Sequence, residues 1–264
     1  MTDKPGSDTV RLFADSWKLM TGRLPQPIII EDDGVSSCFG NVPLALLNIS
    51  IVDRAAESHN DLRDLLHTAA THADACKHPS CVLVREDWLP AGWESLLEEF
   101  SLTPILPLTG METTELLPPL RPLPELDVRR VTDEAAARDL AKLNALAYQI
   151  PEELFECIAN MRLWHSDSYA YVGYRDGLPV SCAAALPVDG TVYIALVATL
   201  PEEQGKGYAE AVMRRAVTQG QQAMATARTT LHASDMGAPV YRRMGYQSGP
   251  RMIILQRALQ PALD

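Results

Sequence analysis

From Thr199 to Ala209 the chain reads Thr-Leu-Pro-Glu-Glu-Gln-Gly-Lys-Gly-Tyr-Ala. Two glycines flank a lysine, and a helix-period pattern begins at once, with Ala209, Val212, Met213, Ala216 and Val217 on one face. The chemistry this spacing offers is anion binding. Glycine lets the main chain approach a ligand with no Cβ in the way, and the first N–H groups of a helix have no partner within it. The apolar run up to Leu200 reads as a strand, which Pro201 stops. Strand, glycine turn and helix in that order make a phosphate cradle or an ordinary tight turn, and the neighbouring elements decide between the two.

Those neighbours sharpen after a proline-dense stretch, Pro118, Pro119, Pro122 and Pro124, which excludes a helix and reads as a stiff linker. Leu126–Val131 is a strand, and Thr132 is the expected N-cap of a helix through Leu140, Leu143, Leu146 and Ala147. Pro151 suits the first turn of a second helix containing Leu154, Phe155, Ile158 and Met161. Residues 169–174 and 179–186 form a hairpin about Asp176-Gly177, and Asp189-Gly190 turns into a third strand, 192–199. The glycine loop and a helix to Gly220 follow. Then come a strand at 229–233, a short helix at 238–244 ended by Gly245, and a strand at 252–255. Three meandering strands before the glycine loop exclude a doubly wound nucleotide-binding sheet, where strands and helices alternate throughout.

Composition sets the outer bounds. The 264 residues hold one large domain or two ordinary ones, and 47% hydrophobic with 22% charged residues is a globular balance. No apolar run reaches the length of a membrane span, the start has no signal-peptide pattern, and five cysteines at no repeated spacing make no disulfide framework. A cytoplasmic protein is expected. A net charge of −11 speaks against nucleic acid and anionic membranes as partners. The charge is uneven: residues 1–120 carry 8 basic and 18 acidic side chains, residues 121–264 carry 15 and 16. A polyanionic ligand is tolerated by the second half alone.

The order of elements over residues 125–257, with two motifs, resembles the GNAT superfamily of acetyl-CoA-dependent N-acyltransferases. The first motif is the pyrophosphate signature Gln/Arg-x-x-Gly-x-Gly/Ala, met by Gln204-Gly205-Lys206-Gly207-Tyr208-Ala209 a few residues past the strand end Leu196-Val197-Ala198-Thr199. The second is Leu231-His232-Ala233-Ser234 followed by Pro239-Val240-Tyr241-Arg242-Arg243-Met244-Gly245-Tyr246. The resemblance implies that strand 192–199 splays from strand 229–233. Val197, Ala198 and Thr199 would then line the pantetheine arm, with the Val197 N–H polarising the thioester carbonyl. Amides from Gln204 to Ala209 would hold the pyrophosphate. Tyr241 would protonate the departing thiolate as general acid, and an amine would attack the thioester directly. No metal is implied.

Two departures from the family pattern stand out. Ser234 occupies the place, seven residues before Tyr241, where many members have an asparagine. Strand 191–199, Thr-Val-Tyr-Ile-Ala-Leu-Val-Ala-Thr, has no carboxylate to serve as general base. His232 on the neighbouring strand and His165 in the loop before the hairpin are the imidazole candidates, each otherwise an ordinary strand or loop residue. Glu152, Glu153 and Glu156 would attract a cationic acceptor or simply sit at a helix start. Arg242 and Arg243 would reach a phosphate or coat a helix. His72, Cys76, His78 and Cys81 match no closed zinc module and read as packing residues.

In the first half, strand 44–52, helix 62–76, strand 81–84, helix 93–100 and strand 102–108 repeat the strand–helix succession of the second. They follow a first helix at 8–20 and a hairpin, 28–30 with 35–39, about Asp33-Gly34. Ile51 to Val82 spans 31 positions and Val197 to Leu231 spans 34. Its turn, Asp53-Arg54-Ala55-Ala56-Glu57-Ser58-His59-Asn60, has two carboxylates and no glycine, which suits no pyrophosphate. The expected architecture is α/β (α+β): two GNAT-type mixed-sheet domains in tandem, each an antiparallel meander with a splayed parallel pair and flanking helices. Residues 1–117 form the degenerate copy, 118–124 the linker and 125–264 the acetyl-CoA-binding domain. The expected activity is acetyl transfer from acetyl-CoA to a small-molecule or peptide amine by a monomer or homodimer. The alternative is an acyl-CoA-binding regulatory protein without turnover.

Overall fold

The computed structural model describes residues 8–164 and 167–257. The elements begin α1 (Thr9–Gly22), β1 (Ile28–Asp32), β2 (Val35–Phe39), β3 (Asn48–Val52), α2 (His59–Ala73), β4 (Cys81–Arg85), α3 (Ser95–Glu99) and β5 (Leu102–Thr113). There follow β6 (Asp127–Arg130), α4 (Glu134–Tyr148), α5 (Glu152–Phe155), β7 (Tyr169–Arg175), β8 (Leu178–Val188) and β9 (Thr191–Thr199). The last are α6 (Tyr208–Met224), β10 (Thr229–Ala233), α7 (Ala238–Arg243) and β11 (Gln247–Arg257). The chain divides into two compact units, one of residues up to Gly110 together with those from Gly249 onward, the other Met111–Ser248.

In the first unit β1, β2 and β3 form an antiparallel meander, with Ile30 opposite Ser37 and Ser37 opposite Ser50. The crossover helix α2 then makes β4 parallel to β3, Ile51 opposite Leu83. β4 also pairs antiparallel with β11, Ile254 opposite Leu83, so the final strand returns the chain to this unit. Strand side chains alternate between faces. Ile49, Ile51, Cys81 and Leu83 meet Val10 and Phe13 of α1, while Val52, Val82 and Val84 meet Leu62, Leu65 and Leu66 of α2. With both faces covered, β2 and β3 are buried along their whole length.

The second unit repeats this succession. β6, β7, β8 and β9 are antiparallel neighbours, and the crossover helix α6 makes β10 parallel to β9. Val212, Met213, Ala216 and Val217 of α6 pack on Tyr171, Ala183, Ala185, Val192, Ile194 and Leu231. α4 lies against β7, β8 and β9.

Several boundaries differ from the sequence reading, β5 and β11 being longer than expected, and four differences have a local cause. Residues 45–47 form a 3-10 turn rather than strand, because the Asn48 side-chain amide donates to the carbonyls of Val42 (2.7 Å) and Pro79 (3.0 Å) and bends the entry to β3. α2 starts at His59, ahead of its apolar face, since Ser58 Oγ accepts the Asp61 N–H at 3.1 Å. Asp133, not Thr132, caps α4, accepting the Ala136 N–H at 2.9 Å. The helix expected from Pro151 stops at Phe155 and tightens into a 3-10 turn over Glu156–Ala159. The carbonyl of Ile158, needed to extend it, instead accepts the Trp164 indole N–H at 2.9 Å.

Candidate active site

The geometry begins with an irregularity in β9. Its antiparallel ladder with β8 pairs Cys182 with Ala198 and Ala184 with Ala195, so Leu196 and Val197 together face the single residue Ala183. This is a β-bulge, which bends a strand and re-aims its backbone. Leu196 takes the left-handed conformation there, with φ of 53°. On the other edge, the parallel ladder with β10 covers only Val192–Ile194 against Thr229–Leu231. The two strands part immediately before the bulge. Val197 thus lies beyond the ladder with β10 and inside the irregularity facing β8, half-buried against the apolar cluster that includes Tyr241.

Ala198 and Thr199 are fixed by one hydroxyl. Ser181 Oγ donates to the Ala198 carbonyl at 2.9 Å and lies 2.8 Å from Thr199 Oγ1. The chain then turns through Pro201–Glu203, and Gln204 Nε2 points back at the Thr199 carbonyl, 3.5 Å away. Gly205 and Gly207 both have positive φ, 75° and 88°, which strains any residue with a Cβ. The space where a Gly205 Cβ would lie is open. Gly207 is the N-cap of α6 and supplies no side chain to it, so no side chain caps the helix start formed by Tyr208 and Ala209. Such an end attracts anions. The Lys206 ammonium does not stand over the loop. It donates to Glu203 Oε2 at 2.7 Å, and Arg175 Nη1 donates to the same oxygen at 2.8 Å.

Ser234 and Tyr241 converge from β10 and α7. Ser234 Oγ and Tyr241 Oη both lie within 4 Å of the point a Cβ on Gly237 would occupy. Ser234 Oγ also accepts the Gly237 N–H at 3.3 Å, which ties the start of α7 to the end of β10. Tyr241 is buried and edge-on to Tyr246, ring centres 6.1 Å apart. Burial, reinforced by the neighbouring phenols of Tyr148 and Tyr246, pushes the Tyr241 hydroxyl far above the usual tyrosine range. It is therefore a neutral O–H donor at any working pH.

The remaining candidates separate. His232 Nδ1 lies 2.8 Å from the buried Tyr193 hydroxyl, and burial depresses the imidazole to about 3. His165 lies outside the described residues. Arg242 is exposed, its Nε 3.4 Å from Ser248 Oγ, and Arg243 is also exposed. Glu152, Glu153 and Glu156 line a surface hollow of about 770 Å³ with Arg138 and Lys142, and Lys142 pairs with Glu152 at 3.8 Å.

The cysteine–histidine group of the first unit is dispersed. Cys81 is in the core, and Cys76 Sγ is directed at Asn41 Oδ1, 4.0 Å away. His72 lies between Ser37 Oγ and Asp32 Oδ2, 2.8 Å from each. That Ser–His–Asp order has the connectivity of a hydrolase triad, but Ser37 is fully buried and bonded to Ser50, so no substrate carbonyl reaches it.

Two contributors to the site were not anticipated from sequence. One is the pair Cys182 and Asn144 behind the bulge; the other is Arg121, whose Nη2 donates to the Gly205 carbonyl at 2.8 Å. Leucine is no turn former, so nothing in the sequence marks a left-handed residue at 196. Arg121 stands among prolines, which read as spacer.

Comparison with known proteins bears on the family and the fold. Residues 166–248 match the acetyltransferase (GNAT) domain family. No curated protein sequence matches the chain. Among solved structures, a GCN5-related N-acetyltransferase from Kribbella flavida is 19% identical, with 95% of this chain and 96% of that one covered and a TM-score of 0.63. One from Sphaerobacter thermophilus is 16% identical, with 88% and 78% covered and a TM-score of 0.59. A tandem GNAT protein from the clavulanic acid biosynthesis pathway is 11% identical, with 98% of each chain covered and a TM-score of 0.55. Residues 166–248 thus match a GNAT acetyltransferase domain, and the fold over nearly the whole chain is like that of GNAT structures, one of them a tandem GNAT protein.

Proposed function

We propose that this chain is an acetyl-CoA-dependent N-acetyltransferase acting on an amine of a small molecule or peptide. The observation that carries the reading is the parting of β9 from β10 at Ile194–Leu231, next to the Leu196 bulge and upstream of the uncapped glycine loop of α6. The fit to the co-substrate is physical: an open glycine loop at a helix N-terminus suits a pyrophosphate, and an unpaired strand edge suits the amides of a pantetheine arm. Acetyl-CoA supplies an activated acyl thioester.

The chain's own groups divide the remaining work. Amides from Gln204 to Ala209 hold the phosphates, and main-chain groups of Val197 and Thr199 align the arm, flanked by Ala198. The Val197 N–H stabilises the oxygen that gains charge when the amine attacks. Tyr241 offers its phenolic hydrogen to the sulfur as it departs. With its pKa raised by burial, full proton transfer to a thiolate is uphill, so its contribution is a hydrogen bond that strengthens as charge collects on sulfur. Ser234, already engaged with Gly237, steadies this end of the cleft.

The test is thiol release from acetyl-CoA across a panel of amines. Turnover that falls sharply in Tyr241→Phe while CoA still binds supports the reading; tight CoA binding with no turnover on any amine removes it. That second outcome favours an acyl-CoA-binding regulatory protein. One observation supports this alternative: β9 has no carboxylate and His232 is held neutral, so neither supplies a base among the described residues.

A further inference from the structure

The proline-rich stretch after residue 117 is docked along the second unit. Leu117 is gripped on both sides: its N–H donates to the Met244 carbonyl at 2.9 Å, and its carbonyl accepts from Arg214 Nη2 of α6 at 2.7 Å. Farther on, Arg121 Nη2 donates to the Gly205 carbonyl at 2.8 Å. Pro124 closes the run against Gly207, where a Cβ would come within 3.3 Å of its Cδ. The chain therefore runs from the end of α7, past the second turn of α6, to the glycine loop.

The contact with Gly205 sets the direction of a donor. A trans peptide is planar, so the carbonyl of Gly205 and the N–H of Lys206, which share one peptide unit, point opposite ways. A carbonyl held toward Arg121 sends that N–H away from the strap. A charged donor on the carbonyl also polarises the unit and strengthens the N–H as a donor. The side chains of Lys206 and Arg175 converge on Glu203 and offset its charge, so Arg121 is the cation tied to the loop's backbone. Prolines at 118, 119, 122 and 124 fix φ at four positions, which lowers the entropy lost in holding Arg121 in place.

We infer that residues 117–124 are a structural part of the anion site, with Arg121 a positioning residue that presents the Lys206 N–H to a cofactor phosphate. The inference rests on the acyl-CoA reading of the site and extends it to a segment outside the matched family domain. Cofactor affinity then depends on how residues 117–124 are held.

The experiment uses the full chain and its Arg121→Ala and Arg121→Lys variants. CoA binding is measured by calorimetry, and the backbone amides of residues 205–209 are followed by NMR in the ligand-free protein. Arg121→Ala is expected to weaken CoA binding about tenfold, the scale of one charge-assisted hydrogen bond. It should also shift the Lys206 amide before any ligand is added. Arg121→Lys, which keeps a charged donor, should restore most of both. Wild-type affinity in Arg121→Ala overturns the inference and leaves the acyl-CoA reading standing. So does a loss of affinity with the Lys206 amide unmoved, because Arg121 would then act on the ligand and not through the loop. Failure of the wild-type protein to bind CoA at all overturns the reading of the site itself.

Discussion

The thiol of Cys182 donates to the carbonyl of Leu196 at 3.4 Å, and Leu196 is the residue of β9 whose backbone is left-handed. Behind the thiol, Asn144 Nδ2 of α4 donates to Cys182 Sγ at 3.3 Å and to the Leu140 carbonyl at 2.9 Å. Both side chains are fully buried. The bulge at Val197 is thus held from a helix, through a thiol, by fully buried groups.

Cys182→Ala should therefore act on rate more than on binding. Losing one buried sulfur and its hydrogen bond costs about 1 kcal/mol of stability. A comparable loss of positioning at Val197 is roughly fivefold in kcat. CoA affinity, set mainly at the glycine loop, should change little. Urea unfolding and steady-state kinetics read the two effects, and Cys182→Ser should recover part of the rate by restoring a donor.

Thiol chemistry offers an independent check on burial. Desolvation pushes the thiols of Cys38, Cys81 and Cys182 up to about 12 and that of Cys157 to about 11. The thiolate is the nucleophile, so at pH 8 these four should resist alkylation in the folded protein. Cys76, half-buried beside Asn41, should label first. Mass spectrometry after a short native iodoacetamide pulse gives the order.

For Tyr241→Phe the expected loss in kcat is on the order of 10²-fold, with CoA binding kept. The pH profile follows from the direction of the shift. The hydroxyl must be protonated to act, and burial raises its pKa above the ordinary value, so the wild-type rate should not decline on this account below about pH 10. A descending limb near pH 8 that vanishes in the phenylalanine variant would remove Tyr241 from this role.

His232 gives a stability prediction with a definite sign. Its folded pKa, about 3, lies below the unfolded value near 6.5. The folded state therefore disfavours its protonation, and the stability it contributes is full above pH 6.5 and lost as pH falls toward 3. The urea midpoint of the wild-type protein should drop between pH 7 and pH 5. His232→Gln, with no proton to take up, should show a smaller drop. An equal drop in both proteins would place the titration elsewhere.

Much of this site was legible in residue order. The glycine loop and the meander before it follow from patterns that report local backbone preference, the Ser234–Tyr241 pair is implied by the family resemblance, and the structure has strand, loop and helix in that succession. What stayed hidden depends on contacts distant in sequence. The bulge has no glycine or asparagine to announce it, because Cys182 and Asn144 hold Leu196 from other elements. Nor does the sequence show that the Lys206 ammonium pairs with a carboxylate three residues earlier. The last strand reads as the end of the second half, while its ladder partner is Val82–Arg85 and Cys81 of the first unit.

The first unit's counterpart of the glycine loop supports the last prediction. There Arg54 Nη1 and Nη2 donate to Asp61 Oδ2 and Oδ1 at 2.7 and 2.8 Å, and the Glu57 N–H donates to the same carboxylate at 2.8 Å. Asp61 lies in the first turn of α2, so a side-chain carboxylate sits where the second unit leaves its helix start uncapped. Arg54, with the Glu57 amide, holds this carboxyl down at about 2. Its stabilising charge is present above pH 4 and lost only as pH falls from there toward 2. A ligand phosphate would have to displace an anion already paired and hydrogen-bonded. Calorimetry should accordingly find one CoA per chain, not two. Asp61→Ala should cost about 1 kcal/mol in urea unfolding at pH 7. It should leave the stoichiometry at one, because the turn still carries the carboxylates of Asp53 and Glu57 and no glycine opens it. A second equivalent of CoA bound by the wild-type protein would overturn the assignment of the first unit as a non-binding copy.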